Sequence, residues 1–245
     1  MKTTSANALL FASIVAGCAV LTVEAQGTFQ NLGFKSALPI PIPGDPYASV
    51  QFDAAFPGWV GLVGSIQQSR ALYNFTYLDS SGIGIVDSSW SGGGLPPLPP
   101  GTISGQYTAV LQAGVTGVNN TPADTTLSQT GVVPLTAQSL RFRAYGTQSY
   151  GPLVVSLGGQ TLNLNPLSSG VNFTLYGVDV RAWQGVLAQL DFTLRALRPH
   201  VDNNNITLDS IAFSDLPIPE PSTISVFGLG TLILGLRLRK RRSAM

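Results

Sequence analysis

Short segments in which apolar and polar side chains alternate are the feature that most constrains how this chain can fold. They recur at intervals of about 10 to 20 residues across residues 26–217, and no stretch of about 12 residues or more has helical periodicity there. Parallel strands need long crossover connections, which are usually helices, so the pattern favours antiparallel pairing. We therefore predict an all-β fold, an antiparallel β-sandwich of about nine strands with jelly-roll topology.

Three segments make sharper local predictions. The segment SLRFRAYGT places Leu140, Phe142 and Ala144 on one face, which predicts a strand with one buried side. Gly158-Gly159 lies between two alternating runs and predicts a tight hairpin. Residues 70–79, RALYNFTYLD, alternate throughout and predict one further strand with all of its aromatic side chains on one face.

The first 25 residues have the organisation of a secretory signal peptide. Lys2 supplies a positive charge, residues 8–23 are almost wholly apolar, and Val23 and Ala25 fit a cleavage site after Ala25. A membrane anchor formed by the same stretch is the alternative, although the stretch is short for a span. Residues 15–18 also resemble a bacterial lipobox, in which Cys18 would carry a lipid.

The cysteine content limits the chemistry of the mature protein. Cys18 is the only cysteine, so cleavage after Ala25 leaves none. Disulfides, zinc–thiolate sites and a cysteine nucleophile are then excluded. We expect no obligatory cofactor, and the exported domain, residues 26–217, must be stabilised by burial of its core.

A short apolar segment followed by a cluster of cations ends the chain. Residues 224–236 are apolar apart from Ser225 and Thr231 and predict a transmembrane helix at about 222–238. A buried C-terminal helix is the alternative. Because a positive cluster resists translocation, the C-terminus should stay cytoplasmic and the body should face outward. The cluster consists of Arg237, Arg239, Lys240, Arg241 and Arg242.

A proline-flanked tripeptide precedes this segment. Pro219, Glu220 and Pro221 favour an extended backbone. The ordered tripeptide, apolar helix and basic cluster, residues 218–245, resemble the PEP-CTERM sorting signal of Gram-negative bacteria. The resemblance implies export through the Sec translocase, cleavage by signal peptidase and recognition by an exosortase, a membrane-embedded cysteine transpeptidase. It also implies a temporary inner-membrane anchor, and then a place at the cell surface or outside the cell.

The body shows a second resemblance. The order of its segments, from NLGF through LRFRAY and LVVSLGGQTLNL to ITLDSIAFSDL, resembles carbohydrate-binding, galactose-binding-like jelly rolls. Domains of that family often hold calcium between an opening Asn-x-x-Phe-Glu segment and two aspartates in the last strand. Here Lys35 replaces the glutamate and Ser210 the second aspartate, which weakens such a site. The candidate calcium ligands that remain are Asp202, Asn204 and Asp209; alternatively, these Asx residues simply form a turn.

Polysaccharide binding would require aromatic platforms, because the apolar faces of sugars stack on rings while their hydroxyl groups bind polar side chains. Trp59 and Trp90 lie in turn-like segments, FPGWVG and DSSWSGGG, and are the candidate glycan platforms. Packing in the core is the alternative for each. The body carries seven Lys and Arg and ten Asp, so its net charge is about −3 and nucleic acid is not an expected partner.

No motif in the sequence nominates a catalytic centre. His200 is the only histidine, and none of the aspartates sits in a motif for paired acid–base catalysis. We therefore predict a non-catalytic surface or matrix module that associates with extracellular polysaccharide. The alternatives are a purely structural surface protein without a glycan ligand and, third, a polysaccharide hydrolase.

Overall fold

The computed structural model describes residues 28–93, 98–117, 120–146, 151–197 and 204–219. The predictions for the signal peptide, the transmembrane helix and the cationic cluster fall outside these residues. So do those for Cys18, Ala25, Asp202, Glu220 and Pro221. Within the described part of the chain, no helix has the length and apolar character that crossing a bilayer demands.

The regular secondary structure of the described residues is almost all β, as predicted. It contains fifteen strands, one four-residue helix (α1, Phe52–Ala55) and one 3-10 turn (Arg181–Trp183). The strands are, in chain order, β1 (Ser49–Gln51), β2 (Val60–Val63), β3 (Ile66–Gln67), β4 (Arg70–Tyr73), β5 (Gly82–Val86), β6 (Thr108–Thr116), β7 (Thr121–Ala123), β8 (Thr125–Val132), β9 (Ser139–Gly146), β10 (Leu153–Leu157), β11 (Gln160–Thr161), β12 (Asn165–Ser169), β13 (Thr174–Asp179), β14 (Leu187–Leu194) and β15 (Asn204–Ser214).

These strands form two sheets in which nearly all neighbours are antiparallel. The large sheet has nine strands in the order β1-β4-β5-β6-β15-β9-β13-β12, with β7 paired to β6. The small sheet has six, in the order β11-β10-β14-β8-β2-β3. Among the strand pairs of the described residues, only β4 and β5 run parallel. The predicted all-β class is thus confirmed and the jelly-roll topology stays a prediction, but the expected number of about nine strands was too low, because several of the fifteen strands are only two to four residues long.

The main apolar core receives side chains from both sheets. Phe142 of β9, in the large sheet, meets Phe192 of β14, in the small sheet, edge to face with ring centroids 5.1 Å apart. Both rings are fully buried. Burying a side chain of this size contributes about 2–3 kcal/mol to stability, and a T-shaped aromatic pair adds about 1 kcal/mol. Contacts of this kind hold the two sheets together.

Two local predictions are confirmed. Leu140, Phe142 and Ala144 of β9 are all buried. The β10–β11 hairpin turns through Gly158 and Gly159, whose φ angles are 58° and 78°. A two-residue turn of type I′ requires positive φ at both central positions, and glycine adopts this conformation without a steric penalty.

Residues 70–79 do not form the single strand that their alternation predicts. β4 ends at Tyr73, and Asn74 adopts a left-handed conformation with a φ of 48°. Its side chain exchanges two hydrogen bonds with Asp87: Asn74 Nδ2 donates to Asp87 Oδ1, and the Asp87 N–H donates to Asn74 Oδ1, both at 3.0 Å. The chain therefore leaves the sheet, and this moves Phe75 and Tyr77 to the surface.

A second apolar cluster lies on the outer face of the large sheet. It contains Val86 of β5 and Val110 of β6, together with Trp90 and Leu98 from the β5–β6 connection. The flanking neighbours of Val110 on β6 belong to the main core, and side chains alternate along a strand, so this cluster faces the other way. The proline-rich connection thus covers part of the outer face.

Candidate functional site

The two tryptophans expected to be exposed glycan platforms are buried. Trp59 is 3% exposed and Trp90 is 4% exposed. Trp59 packs against Phe34 and Phe192, and its indole N–H donates to the carbonyl oxygen of Asn31 at 3.3 Å. Trp90, in the β5–β6 connection, packs in the second cluster with Val86, Leu98 and Val110. The predicted exposure was therefore wrong, and core packing, the alternative, is what the fold uses.

The candidate calcium ligands are not brought together. Asp202 lies outside the described residues, while Asn204 and Asp209 are both on β15. Positions five apart on a strand point to opposite faces and are about 16 Å apart. Asn204 Nδ2 donates to the carbonyl oxygens of Gly151 and Arg195, both at 3.0 Å. The described residues contain no group of three or more His, Cys, Asp or Glu side chains able to hold a metal ion.

Asp209 instead anchors the β5–β6 connection. Its Oδ2 accepts hydrogen bonds from Thr108 Oγ1 at 2.6 Å and from the Ser104 N–H at 3.1 Å, and its Oδ1 accepts one from the Ser210 N–H. The residue is 1% exposed. Burial raises the pKa of the Asp209 carboxyl, and the hydrogen bonds oppose this shift without cancelling it.

The opening segment of the described chain lies next to the last strand. The Ile211 N–H donates to the Leu32 carbonyl at 3.1 Å. A cleft of about 390 Å³ lies here, and its lining includes Asn31, Lys35 and Asp209. Lys35 brings a positive charge to the lining of this cleft, which opposes binding of a divalent cation there.

Three aromatic residues form a surface cluster that the sequence did not predict. Tyr47 precedes β1, and Phe75 and Tyr77 follow β4; we call them the aromatic cluster. The ring centroids are 5.4 Å apart for Tyr47 and Tyr77, 6.0 Å for Phe75 and Tyr77, and 6.4 Å for Tyr47 and Phe75. Tyr47 is 48% exposed and Phe75 is 39% exposed. The cluster thus presents contiguous aromatic surface to solvent.

Gln112 fixes one member of this cluster from beneath. Gln112 Oε1 accepts from the Tyr77 N–H at 2.8 Å, and Gln112 Nε2 donates to the Tyr77 carbonyl at 2.6 Å. Gln112 itself is buried, at 1% exposure on β6. A buried amide that satisfies both backbone groups of a loop residue holds that residue in one position. The aromatic cluster is therefore preorganised although it lies on connecting segments.

Polar groups border the aromatic cluster. Arg70 Nη1 and Asp45 Oδ2 form an ion pair at 2.7 Å, and the side chain of Arg70 is 55% exposed. Asp45 Oδ1 accepts from the Tyr47 N–H at 2.9 Å. This hydrogen bond, chiefly, lowers the pKa of Asp45, with a smaller contribution from Arg70. Arg70, Gln68 and Tyr77 also line a cleft of about 130 Å³.

The C-terminal segment of the body lies on the outer face of the large sheet. Arg141 Nη2 donates to the carbonyl oxygens of Leu216 at 3.3 Å and Pro217 at 3.1 Å. Ser139 Oγ donates to the same Leu216 carbonyl at 2.7 Å. The side chain of Ile218 lies over Gly177, the cross-strand partner of Arg141. The chain is therefore held by the body up to the residue before Pro219.

Comparison with known proteins finds a match in the C-terminal part of the chain. The match includes residues 217 and 218, which the body holds. No curated protein matches the chain significantly. Residues 217–242 match the protein family described as the PEP-CTERM protein-sorting motif. The matched residues include Pro219, Glu220 and Pro221, the apolar segment and the cationic cluster. The chain thus carries a PEP-CTERM protein-sorting motif at residues 217–242, and this motif indicates an exported surface protein that is processed by an exosortase.

Proposed function

We propose that this exosortase-sorted protein is a non-catalytic surface or matrix module that associates with extracellular polysaccharide through the aromatic cluster. The observation that carries the proposal is a preorganised group of three aromatic rings at the surface, next to an exposed arginine. Large exposed apolar patches on soluble domains mark interaction sites more often than chance. The aromatic cluster takes the role that the sequence had assigned to Trp59 and Trp90.

The chemistry of the aromatic cluster suits a sugar polymer. Ring faces of Tyr47 and Phe75 can stack on the apolar faces of pyranose units, and the amphipathic tyrosine tolerates a wet site. Arg70 and Gln68 offer hydrogen bonds to hydroxyl groups in the adjoining cleft. That cleft, about 130 Å³, is smaller than a pocket for a free small molecule, which is about 300 Å³ or more. The proportions favour surface contact with a chain over enclosure of a monosaccharide.

We further propose the export route that the sorting motif requires. The Sec translocase carries the chain, signal peptidase cleaves after Ala25, and residues 222–238 anchor it in the inner membrane with the cations on the cytoplasmic side. The exosortase then acts near Pro219, Glu220 and Pro221. The match of residues 217–242 to the sorting motif supports this route.

Binding to polysaccharide separates this proposal from its alternatives. We expect purified protein to bind at least one member of a panel of bacterial extracellular polysaccharides in affinity electrophoresis. Tyr47→Ala and Phe75→Ala should each weaken binding about tenfold, since loss of one stacking contact costs about 1–1.5 kcal/mol. Tyr145→Ala, which removes a tyrosine of similar exposure (41%) from β9, should leave binding unchanged.

Three other outcomes are possible, and each has a different explanation. A folded protein that binds no polysaccharide would support the purely structural alternative. Release of reducing ends from a bound polysaccharide would support the hydrolase. Equal losses of binding in Tyr47→Ala and Tyr145→Ala would assign the loss to instability rather than to the aromatic cluster.

A further inference from the structure

We propose that the body restrains its own sorting segment: Ser139, Arg141 and Gly177 hold residues 216–218 against the large sheet and thereby slow exosortase processing. This inference rests on the proposed exosortase sorting and adds to it the part of the body that controls access. We call these three residues and the segment they hold the tail dock. Arg141 acts in it as a positioning residue, since it contacts the substrate segment and not an enzyme.

Hydrogen bonds of the tail dock occupy the backbone that a protease needs. The carbonyl oxygens of Leu216 and Pro217 accept from Arg141, and Ser139 supplies a second donor to Leu216. Arg141 is itself fixed, because its Nε donates to Ser139 Oγ at 3.1 Å. Extended peptides bind partners through main-chain hydrogen bonds. A segment whose carbonyls are already bound must first leave the sheet.

An apolar contact adds to these hydrogen bonds. A Cβ atom at Gly177 would lie 2.5 Å from Ile218 Cδ1 and 2.8 Å from Leu167 Cδ1. A side chain at position 177 would therefore force the ends of the Ile218 and Leu167 side chains to move from their present positions on β13. Because the side chain of Ile218 is partly buried there, its release exposes apolar surface. Arg141 and Gly177 are direct cross-strand partners, so the polar and apolar contacts belong to one small face.

The tail dock overlaps the start of the sorting motif in the sequence, so it can affect sorting. Pro217 and Ile218 come immediately before Pro219, and the sorting motif begins at residue 217. The folded body and the motif thus share residues, with no linker between them. When only the released segment can enter the enzyme, the apparent affinity is the intrinsic affinity multiplied by the released fraction. Weakening the tail dock should therefore accelerate processing.

Two variants weaken the tail dock by independent means. Arg141→Ala removes two hydrogen bonds to the segment, and Gly177→Ala forces the end of the Ile218 side chain to move but leaves Arg141 in place. In cells that contain an exosortase, pulse–chase labelling should show each variant maturing about fivefold faster than the parent. Arg143→Ala is the matched control, because Arg143 lies on the same face of β9 but over the ring of Phe173, 4.6 Å from its centroid. The control should mature at the parent rate.

A second measurement reports the dock without any enzyme. A nitroxide attached at Pro219→Cys in full-length protein in detergent, with Cys18→Ala to avoid a second label, should gain mobility in electron paramagnetic resonance when Arg141 is replaced. Unchanged label mobility in Arg141→Ala would show that Arg141 does not restrain residues 216–218, and would overturn the proposal. So would a mobile label combined with unchanged or slower maturation. Absence of maturation in every protein, the parent included, would instead overturn exosortase sorting and this proposal with it.

Discussion

The side chain of Gln112 binds Tyr77 through both of its backbone groups, at 2.8 Å to the N–H and 2.6 Å to the carbonyl oxygen. These residues are 35 positions apart, and the pair fixes a surface loop to a buried strand. Gln129 makes the same arrangement with Gln30: its Oε1 accepts from the Gln30 N–H at 2.5 Å and its Nε2 donates to the Gln30 carbonyl at 3.0 Å. The described residues therefore contain two matched amide clamps, and the one formed by Gln112 supports the aromatic cluster.

The two clamps allow a controlled test of preorganisation. Gln112→Ala should destabilise the fold by about 2 kcal/mol and also weaken polysaccharide binding, since Tyr77 is no longer held. Gln129→Ala removes an equivalent clamp at Gln30 and should cost similar stability with no change in binding. Urea unfolding and affinity electrophoresis measure the two effects. Equal binding by both variants would contradict the role of Gln112.

Replacement of the tryptophans should affect folding rather than recognition. Trp59→Ala and Trp90→Ala remove rings that are 3% and 4% exposed, and each should lower the free energy of unfolding by about 3–5 kcal/mol. Leu78→Ala, at a side chain that is 73% exposed, should change it by about 0.5 kcal/mol or less. Chemical denaturation gives these values. A stable Trp90→Ala protein with lost polysaccharide binding would restore Trp90 as a platform.

Through Tyr73 and Asp87 the free energy of unfolding should depend on pH in two ranges. Stability should fall at low pH, which we call the acid limb, and at high pH, which we call the alkaline limb. The Tyr73 hydroxyl donates to Asp87 Oδ2 at 2.5 Å. Burial acts to raise the pKa of Asp87, but hydrogen bonds from Ser89, Tyr73 and Asn74 outweigh it and lower the pKa to about 2. The hydrogen bond to Asp87, with burial, raises the pKa of Tyr73 to about 12.

The linkage between protonation and folding determines whether the free energy of unfolding rises or falls with pH in each range. A lowered Asp87 pKa stabilises the fold above pH 3.8, and this contribution is lost as the pH falls towards about 2. A raised Tyr73 pKa means that stability falls as the pH rises from 10 towards about 12. Tyr73→Phe should weaken the alkaline limb, to which Tyr77 also contributes because burial raises its pKa, and should remove about 1 kcal/mol of the acid limb, a figure reduced for solvent screening. Urea unfolding across these ranges tests this, with Tyr145→Phe as control; an unchanged alkaline limb in Tyr73→Phe would refute it.

Asp209 should show the opposite acid dependence to Asp87. Burial raises its pKa above 3.8, so the folded state binds the proton more tightly than the unfolded state does. The contribution of Asp209 to stability therefore decreases as the pH rises from 3.8 through the raised value. The difference in unfolding free energy between the parent and Asp209→Asn should shift in that direction across this window. A difference independent of pH would show that the carboxyl titrates normally.

Several features could be predicted from the sequence because they depend on neighbours along the chain. Alternation identified β9 and the side of it that is buried, since side chains on a strand point alternately to two faces. Gly158-Gly159 specified its hairpin, since positive φ at both positions leaves little choice but glycine. The sorting motif was also readable, because its tripeptide, apolar segment and cations follow one another in order.

Features that depend on distant residues could not be read in this way. The turn-like segment around Trp90 carries no sign that the ring packs on Val110 of β6 and on Leu98, and so the ring looked exposed. Alternation through residues 70–79 predicted a strand. Two hydrogen bonds between Asn74 and Asp87 stabilise a turn there instead.

The sequence by itself therefore determined the β class of the body, the strand β9 with its buried face, the Gly158-Gly159 hairpin and the sorting motif, because period-two patterning and linear motifs are local properties. Tertiary structure alone decided which rings reach solvent and which groups hold the tail, as in the contact of Gln112 with Tyr77 and of Arg141 with Pro217. The physical reason is that burial and hydrogen-bond partnership are set by residues brought together across the sheets, and a local pattern carries no record of them.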